Sequence, residues 1–154
     1  MHSRLWAWPA AAVLPLLMLA GCKTPLFKPA IALTELQLQV QNKANGNAPF
    51  AVELVLVDND ELLQKMLALS AAQWFDEGAV LKRDYPKNLQ SWRYELVPDQ
   101  QLPIDTRPFV GKRGQALLLY ANYIGRGAYR LRLDQLPKAR VVFQESGIQL
   151  ADTP

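Results

Sequence analysis

Few residues in this chain could act as nucleophile, general base or metal ligand. Cys22 is the single cysteine and His2 the single histidine among 154 residues. Both belong to the first segment, where Arg4 precedes an apolar run from Leu5 to Ala20 that closes on Leu19-Ala20-Gly21-Cys22. A positive flank, a short apolar stretch and small residues before the break form the pattern of a cleaved export signal. Pro9 and Pro15 interrupt the run, which is shorter than the roughly 20 apolar residues a spanning helix requires. Cleavage before Cys22 removes His2, so a mature chain beginning there has no histidine for a catalytic triad or a metal site. It also leaves the thiol on residue one, where a thiolate can form a thioether to lipid. A lipidated Cys22 is then unavailable for thiolate catalysis, zinc or a disulfide, and the domain must rely on packing. No cofactor is expected apart from that covalent lipid.

Carboxylates are the remaining groups with catalytic potential. Asp58, Asp60 and Glu61 cluster, as do Asp76 and Glu77, but both groups lie where helix caps and solvated turns ordinarily carry acids. Asp58-Asn59-Asp60 lacks the glycine and terminal glutamate of a calcium loop. Gly125-Arg126-Gly127 lacks the spacing of a phosphate loop and reads as a hairpin turn. The net charge is +3, too small to argue for nucleic acid, although its distribution is uneven. Glu53 to Asp105 holds ten acidic and five basic residues, whereas Arg107 to Arg140 holds eight basic and one acidic. Within the basic part, Arg126, Arg130 and Arg132 are candidates for electrostatic docking of an acidic partner or anionic headgroups, against the plainer reading of a solvated sheet face. Trp74, Trp92, Tyr94, Tyr120 and Tyr123 could stack on sugars, but their positions favour core packing.

The elements that must position these residues follow from periodicity. Residues 22–31, with Pro25 and Pro29, read as a lipidated N-terminus and extended linker. Leu36, Leu38 and Val40 alternate with glutamate and glutamines, a half-buried strand of an antiparallel sheet. Asn42 to Pro49 is rich in turn residues and too long for a two-residue hairpin, which predicts a protruding loop. Phe50 to Val57 resumes strand character, with both faces apolar near its end. Helices are predicted within about 59–78: Asp58 or Asn59 caps the first, Ser70 and Gln73 make a capping box for the second, and Gly78 ends it. Strands follow at Ser91–Val97, at a proline-confined edge within Leu102–Phe109, at a central Gln115–Tyr123, and at Tyr129–Leu133, Arg140–Gln144 and Ile148–Leu150. Seven or eight strands with one helical insertion over residues 32–154 predict a mainly β, antiparallel sandwich, with the helices on one face or end.

Leu19-Ala20-Gly21-Cys22 resembles the bacterial lipoprotein lipobox. The order of elements also resembles the outer-membrane lipoproteins of the type VI secretion membrane complex, the TssJ family. That likeness rests on the lipobox, Leu36–Val40, the Asn42–Pro49 loop, Val52–Val57, Leu69-Ser70-Ala71-Ala72-Gln73-Trp74-Phe75, Trp92–Pro98 and Ala121-Asn122-Tyr123. The helical stretch departs from the family's more usual paired-Phe pattern. The resemblance implies acylation of Cys22 by diacylglycerol and palmitate-type chains. Because Lys23 is not Asp, it also implies anchorage at the periplasmic face of the outer membrane. It further implies a transthyretin-like sandwich and a non-enzymatic scaffold role. The partner-binding residues would be Asn42, Lys43, Ala44, Asn45, Gly46 and Asn47, contacting the periplasmic part of a large inner-membrane subunit, with an outer-membrane-proximal third subunit as a further partner. The rival from another class is an envelope-assembly lipoprotein that holds glycan or lipopolysaccharide on its aromatic residues.

Overall fold

Alternation in the sequence becomes two stacked sheets in the computed structural model, which describes residues 28–125 and 127–151. The strands are β1 (Glu35–Val40), β2 (Phe50–Val57), β3 (Leu89–Leu96), β4 (Gln101–Ile104), β5 (Ala116–Ala121), β6 (Arg130–Arg132), β7 (Lys138–Phe143) and β8 (Ile148–Ala151). One sheet has the order β4-β1-β7-β8 and the other β3-β2-β5-β6. The mainly β sandwich of eight strands is therefore as the periodicity predicts. One pairing departs from the antiparallel expectation. β1 does not form a hairpin with β2, because the chain crosses between the sheets after Val40. β1 pairs instead with β4 and, in parallel, with β7, so that Leu38 lies opposite Val141. All other pairs are antiparallel. The reason is topological: a strand whose neighbour in sequence leaves for the other sheet must find its partners later in the chain.

The inner faces meet in a core built from Leu36, Leu38, Val52, Leu54, Leu117, Leu119, Val141 and Phe143, with Phe109 filling one end. β5 is central and buried throughout. Pro103 in β4 falls on a sheet edge, where its missing N–H costs no ladder bond.

The helices α1 (Asp60–Ala68) and α2 (Ala71–Asp84) cover the outer face of β3-β2-β5-β6. Asn59 caps α1 by accepting from the Leu62 N–H at 2.8 Å. Ser70 and Gln73 close the predicted capping box on α2. Gly78 does not end α2, which continues through Asp84; Pro86 follows the cap residue Tyr85 and stops it. The glycine serves packing instead, since a Cβ there would sit 3.0 Å from the Trp74 ring. Trp74 lies flat in that space, stacked on Tyr120 at 5.1 Å. Glu53 is the one charge on the helix-covered face of β2. It accepts from Trp74 Nε1 at 3.1 Å and from Lys82 Nζ at 2.6 Å.

Lys28 to Ile31, assigned to the linker from the sequence, are joined to the domain. Ala30 bridges Arg113, the Ile31 N–H donates to the Lys112 carbonyl at 2.9 Å, and Ile31 is buried in the inter-sheet core. No described helix is long and apolar enough to cross a membrane.

Candidate functional site

β1 ends and β2 begins at the same end of the sandwich, so the intervening residues must carry the chain from one sheet to the other. Gln41 to Pro49 do this through a tight turn at Ala44–Asn47 in which Asn45, Gly46 and Asn47 all have positive φ, 53°, 63° and 64°. Glycine reaches this region without strain, and asparagine is among the few other residues that visit it readily. The Asn-Gly-Asn triplet is thus the local reason for the turn.

Asn45 holds the turn to its surroundings. It is only 4% exposed. Its Oδ1 accepts from the Ile124 N–H at 2.7 Å, and its Nδ2 donates to the carbonyls of Ala48 and Pro49 at 3.3 and 3.4 Å. Its own N–H reaches the Gln144 carbonyl at 3.4 Å. Three connections are thereby tied together: residues 41–49, the β5–β6 turn from Asn122 to Tyr129, and the β7–β8 turn from Gln144 to Gly147. Tyr123 strengthens the join, donating from its hydroxyl to the Gln144 carbonyl at 2.8 Å and packing edge-on against Phe50. Burial pushes the Tyr123 phenol well above its ordinary range, so it stays a donor at any physiological pH.

The six loop residues picked from the sequence divide by role. Asn42, Lys43, Gly46 and Asn47 are exposed and form the outward surface; Ala44 and Asn45 are buried and hold it in place. The sequence reading missed Ile124, 76% exposed beside the loop, and Val97, 50% exposed at the same end of the sandwich. Ile124 falls between the predicted strand Gln115–Tyr123 and the predicted turn at Gly125, so neither reading drew notice to its side chain.

The basic candidates are mostly spent internally. Arg130 Nη1 donates to the carbonyls of Leu67 and Leu69, each at 2.7 Å, satisfying orphan acceptors at the C-terminus of α1. Arg132 binds Asp134 through Nε and Nη2 at 2.8 and 3.1 Å and the Gln115 carbonyl at 2.9 Å. Both guanidinium groups therefore have acceptors within the domain, although Arg132 remains exposed at the surface. Arg126 and Cys22 lie outside the described residues. Arg130→Ala should lower the unfolding free energy by about 1–3 kcal/mol through the unpaired carbonyls at the end of α1, as measured by urea denaturation. Arg130→Lys should recover only part of it, since the shorter lysine side chain places its ammonium short of the position from which Nη1 reaches both carbonyls.

The acidic cluster at Asp58, Asp60 and Glu61 serves structure. Asp58 pairs with Lys28 at 2.7 Å, Glu61 with Lys65 at 3.2 Å, and Asp60 lies in the first turn of α1. Among the described residues no group of three His, Cys, Asp or Glu side chains converges to hold a metal. Trp74, Tyr120 and Tyr123 are buried, and Trp92 and Tyr94 pack against the inter-sheet core, so these rings do not form an open stacking platform.

No protein-family model and no curated protein matches the sequence. The fold is matched by solved structures. The Serratia marcescens Lip protein, a membrane-bound component of the type VI secretion system, superposes with a TM-score of 0.59 at 16% identity, covering 78% of this chain and 96% of its own. The type VI lipoprotein TssJ1 from Pseudomonas aeruginosa gives 0.59 at 17% identity, over 78% and 95%. A structure of a type VI membrane complex gives 0.59 at 11% identity, over 77% and 96%. This chain therefore has the fold of these proteins across nearly their full length.

Proposed function

We propose that this chain is a TssJ-family lipoprotein: a non-enzymatic scaffold of a type VI secretion envelope complex. Cys22 anchors it in the outer membrane, and it grips the periplasmic part of a large inner-membrane subunit through the loop after β1. The observation that carries the reading is the fold shared with two type VI lipoproteins over more than nine-tenths of their length. It is supported by a cysteine placed at the end of an export signal, and by the loop itself. Residues 41–49 are held in one conformation by Asn45, so a partner meets a surface already ordered and little entropy is lost on binding. The exposed apolar Ile124 beside Lys43, Gly46 and Asn47 gives that surface a desolvated centre within a polar rim.

Capture of the partner's periplasmic domain by the purified lipoprotein tests the reading. Ile124→Asp combined with Lys43→Glu changes only exposed side chains, so the thermal midpoint should stay within a few degrees while co-purification drops at least tenfold, the usual cost of losing an interface hot spot. Undiminished capture by a folded double variant would move the partner site elsewhere.

A further inference from the structure

The end of the sandwich opposite the Asn45 loop is where the chain enters. Lys28 to Ile31 dock there against residues 111–114. The Gly111 N–H donates to the Ile31 carbonyl at 3.0 Å, the Gly114 N–H to the Pro29 carbonyl at 3.1 Å, and Arg113 Nη1 to the Lys28 carbonyl at 3.1 Å. Lys28 itself is clamped on Asp58, just past the end of β2. The starts of β1, β3, β5 and β7 and the ends of β2, β4 and β6 all lie at this end. The Asn45 loop occupies the other, the length of an eight-residue strand away, about 26 Å.

The charge of the entry end is distinctive. Its acids are mostly matched, Asp58 by Lys28, Asp105 by Arg107, Glu35 by Lys138 and buried Asp134 by Arg132. Three cations there have no carboxylate partner among the described residues. Lys87 stands in the turn before β3. Lys112 donates to Gln90 at 2.6 Å with its ammonium 5.6 Å from the Trp92 ring, and Arg113 is bonded only to a carbonyl. All three are exposed. Among the described residues Asp60 is the one acid at this end without a cation beside it, and it sits at the positive end of α1. Among the described residues the loop end carries Asp99 and Glu145 against Lys43, so in that set the unmatched positive charge belongs to the end where the tether joins.

We propose that this entry end, formed by residues 28–31, 85–88 and 105–115, is a membrane-facing surface whose Lys87, Lys112 and Arg113 rest on anionic phospholipid headgroups. The inference depends on acylation of Cys22 as read above. From Cys22 to Lys28 the chain spans at most about 20 Å, so an acylated Cys22 keeps the entry end close to the bilayer. Within a Debye length of about 8 Å the three unmatched cations then fix its orientation. A tether alone would leave the domain free to tumble. With the basic end seated on lipid, the Asn45 loop and Ile124 point away from the membrane toward an approaching partner. Removing each cation weakens residence on the anionic surface about fivefold.

Because Cys22 is the single cysteine, introduced thiols can report the orientation of the full-length acylated protein in vesicles. Gln135→Cys, in the β6–β7 turn, labels the entry end; Glu145→Cys, in the β7–β8 turn, labels the loop end. Each carries a fluorophore whose quenching by aqueous acrylamide is read in phosphatidylethanolamine vesicles with and without phosphatidylglycerol. In anionic vesicles the label at 135 should be strongly protected and the label at 145 open. The protection should be lost in 0.5 M salt, and in Lys87→Glu/Lys112→Glu/Arg113→Glu, which stays membrane-bound. Equal quenching at both positions overturns the orientation. Protection that persists without phosphatidylglycerol, in high salt or in the triple variant overturns the role of the three cations. Maleimide uptake by the protein without an introduced cysteine shows a free Cys22, and sinks the anchor reading separately.

Discussion

Glu53→Ala lowers the unfolding free energy of the domain by about 3 kcal/mol, although the residue takes no part in the Asn45 loop. The carboxylate is 4% exposed between β2 and α2, and two buried or half-buried donors converge on it. Its loss leaves the indole N–H of Trp74 without an acceptor in an apolar layer, which costs about 1–3 kcal/mol. It also opens a void under a helix whose hold on the sheet depends on Trp74 stacked against Tyr120. Lys82 is 36% exposed and can turn to water, so the full cost of a stranded buried cation does not apply. Urea denaturation followed by tryptophan fluorescence measures the change, and a loss under 1 kcal/mol would show that Glu53 is incidental to the packing of α2.

The same pair dictates a pH signature. Burial by itself would push the Glu53 carboxyl up, but hydrogen bonds from Lys82, Ser91 and Trp74 together with the Lys82 charge outweigh it and hold the group below its ordinary 4.5. A carboxyl depressed in the folded state contributes stability above its unfolded value, and that contribution is lost as pH falls through the folded one. Stability should therefore decline on acidification below about pH 4.5. In Lys82→Met the largest lowering cause and the attractive charge are gone, so the carboxyl moves up from its place in the parent and part of the stabilisation is lost. The penalty of that substitution should be largest at pH 7, about 2 kcal/mol, and shrink toward pH 4 as Glu53 takes up a proton. A penalty independent of pH would mean that Lys82 acts on Trp74 through its stem rather than on Glu53 through its charge.

How far the sequence discloses this architecture depends on how local each cause is. Strand alternation, the Asn59 cap, the Ser70–Gln73 box and the apolar run of β5 are set by neighbours in sequence, and each appears where periodicity predicts. Gly78 marks the limit: its type announces a helix end, but its use is decided by an indole one turn back, whose orientation depends on Glu53 and Tyr120 from two strands. The parallel pairing of β1 with β7 was not legible for a related reason, since it joins segments a hundred residues apart. Arg130 and Arg132 show the converse. Two-residue spacing makes them a charged face only while the strand is considered alone; the end of α1 and Asp134 supply acceptors that spacing does not reveal. In the loop the asparagine content exposed the turn, but not that one asparagine ties three connections together.

That tie gives the second large effect. Asn45→Ala removes an acceptor from the Ile124 N–H and a donor from two carbonyls, and it puts an alanine at φ 53°. A non-glycine residue without a compensating polar side chain costs about 1 kcal/mol there, and the unpaired groups bring the total to about 3 kcal/mol. The damage should be spatially confined. Amide exchange should accelerate at Ala48 and Ile124 while β2 and β5 stay protected, because the core beneath is built from separate contacts. Asn45→Gly separates the two causes, as it relieves the backbone but restores no hydrogen bond. If ordering of the loop is what binding requires, Asn45→Gly recovers about 1 kcal/mol of stability yet captures partner no better than Asn45→Ala. Asn45→Asp keeps the acceptor for Ile124 but turns a charge toward the carbonyls of Ala48 and Pro49, so it should fall nearer the alanine variant than the parent. Full capture by Asn45→Gly would assign the residue a backbone role alone, and would place the partner's contacts on side chains that need no fixed frame.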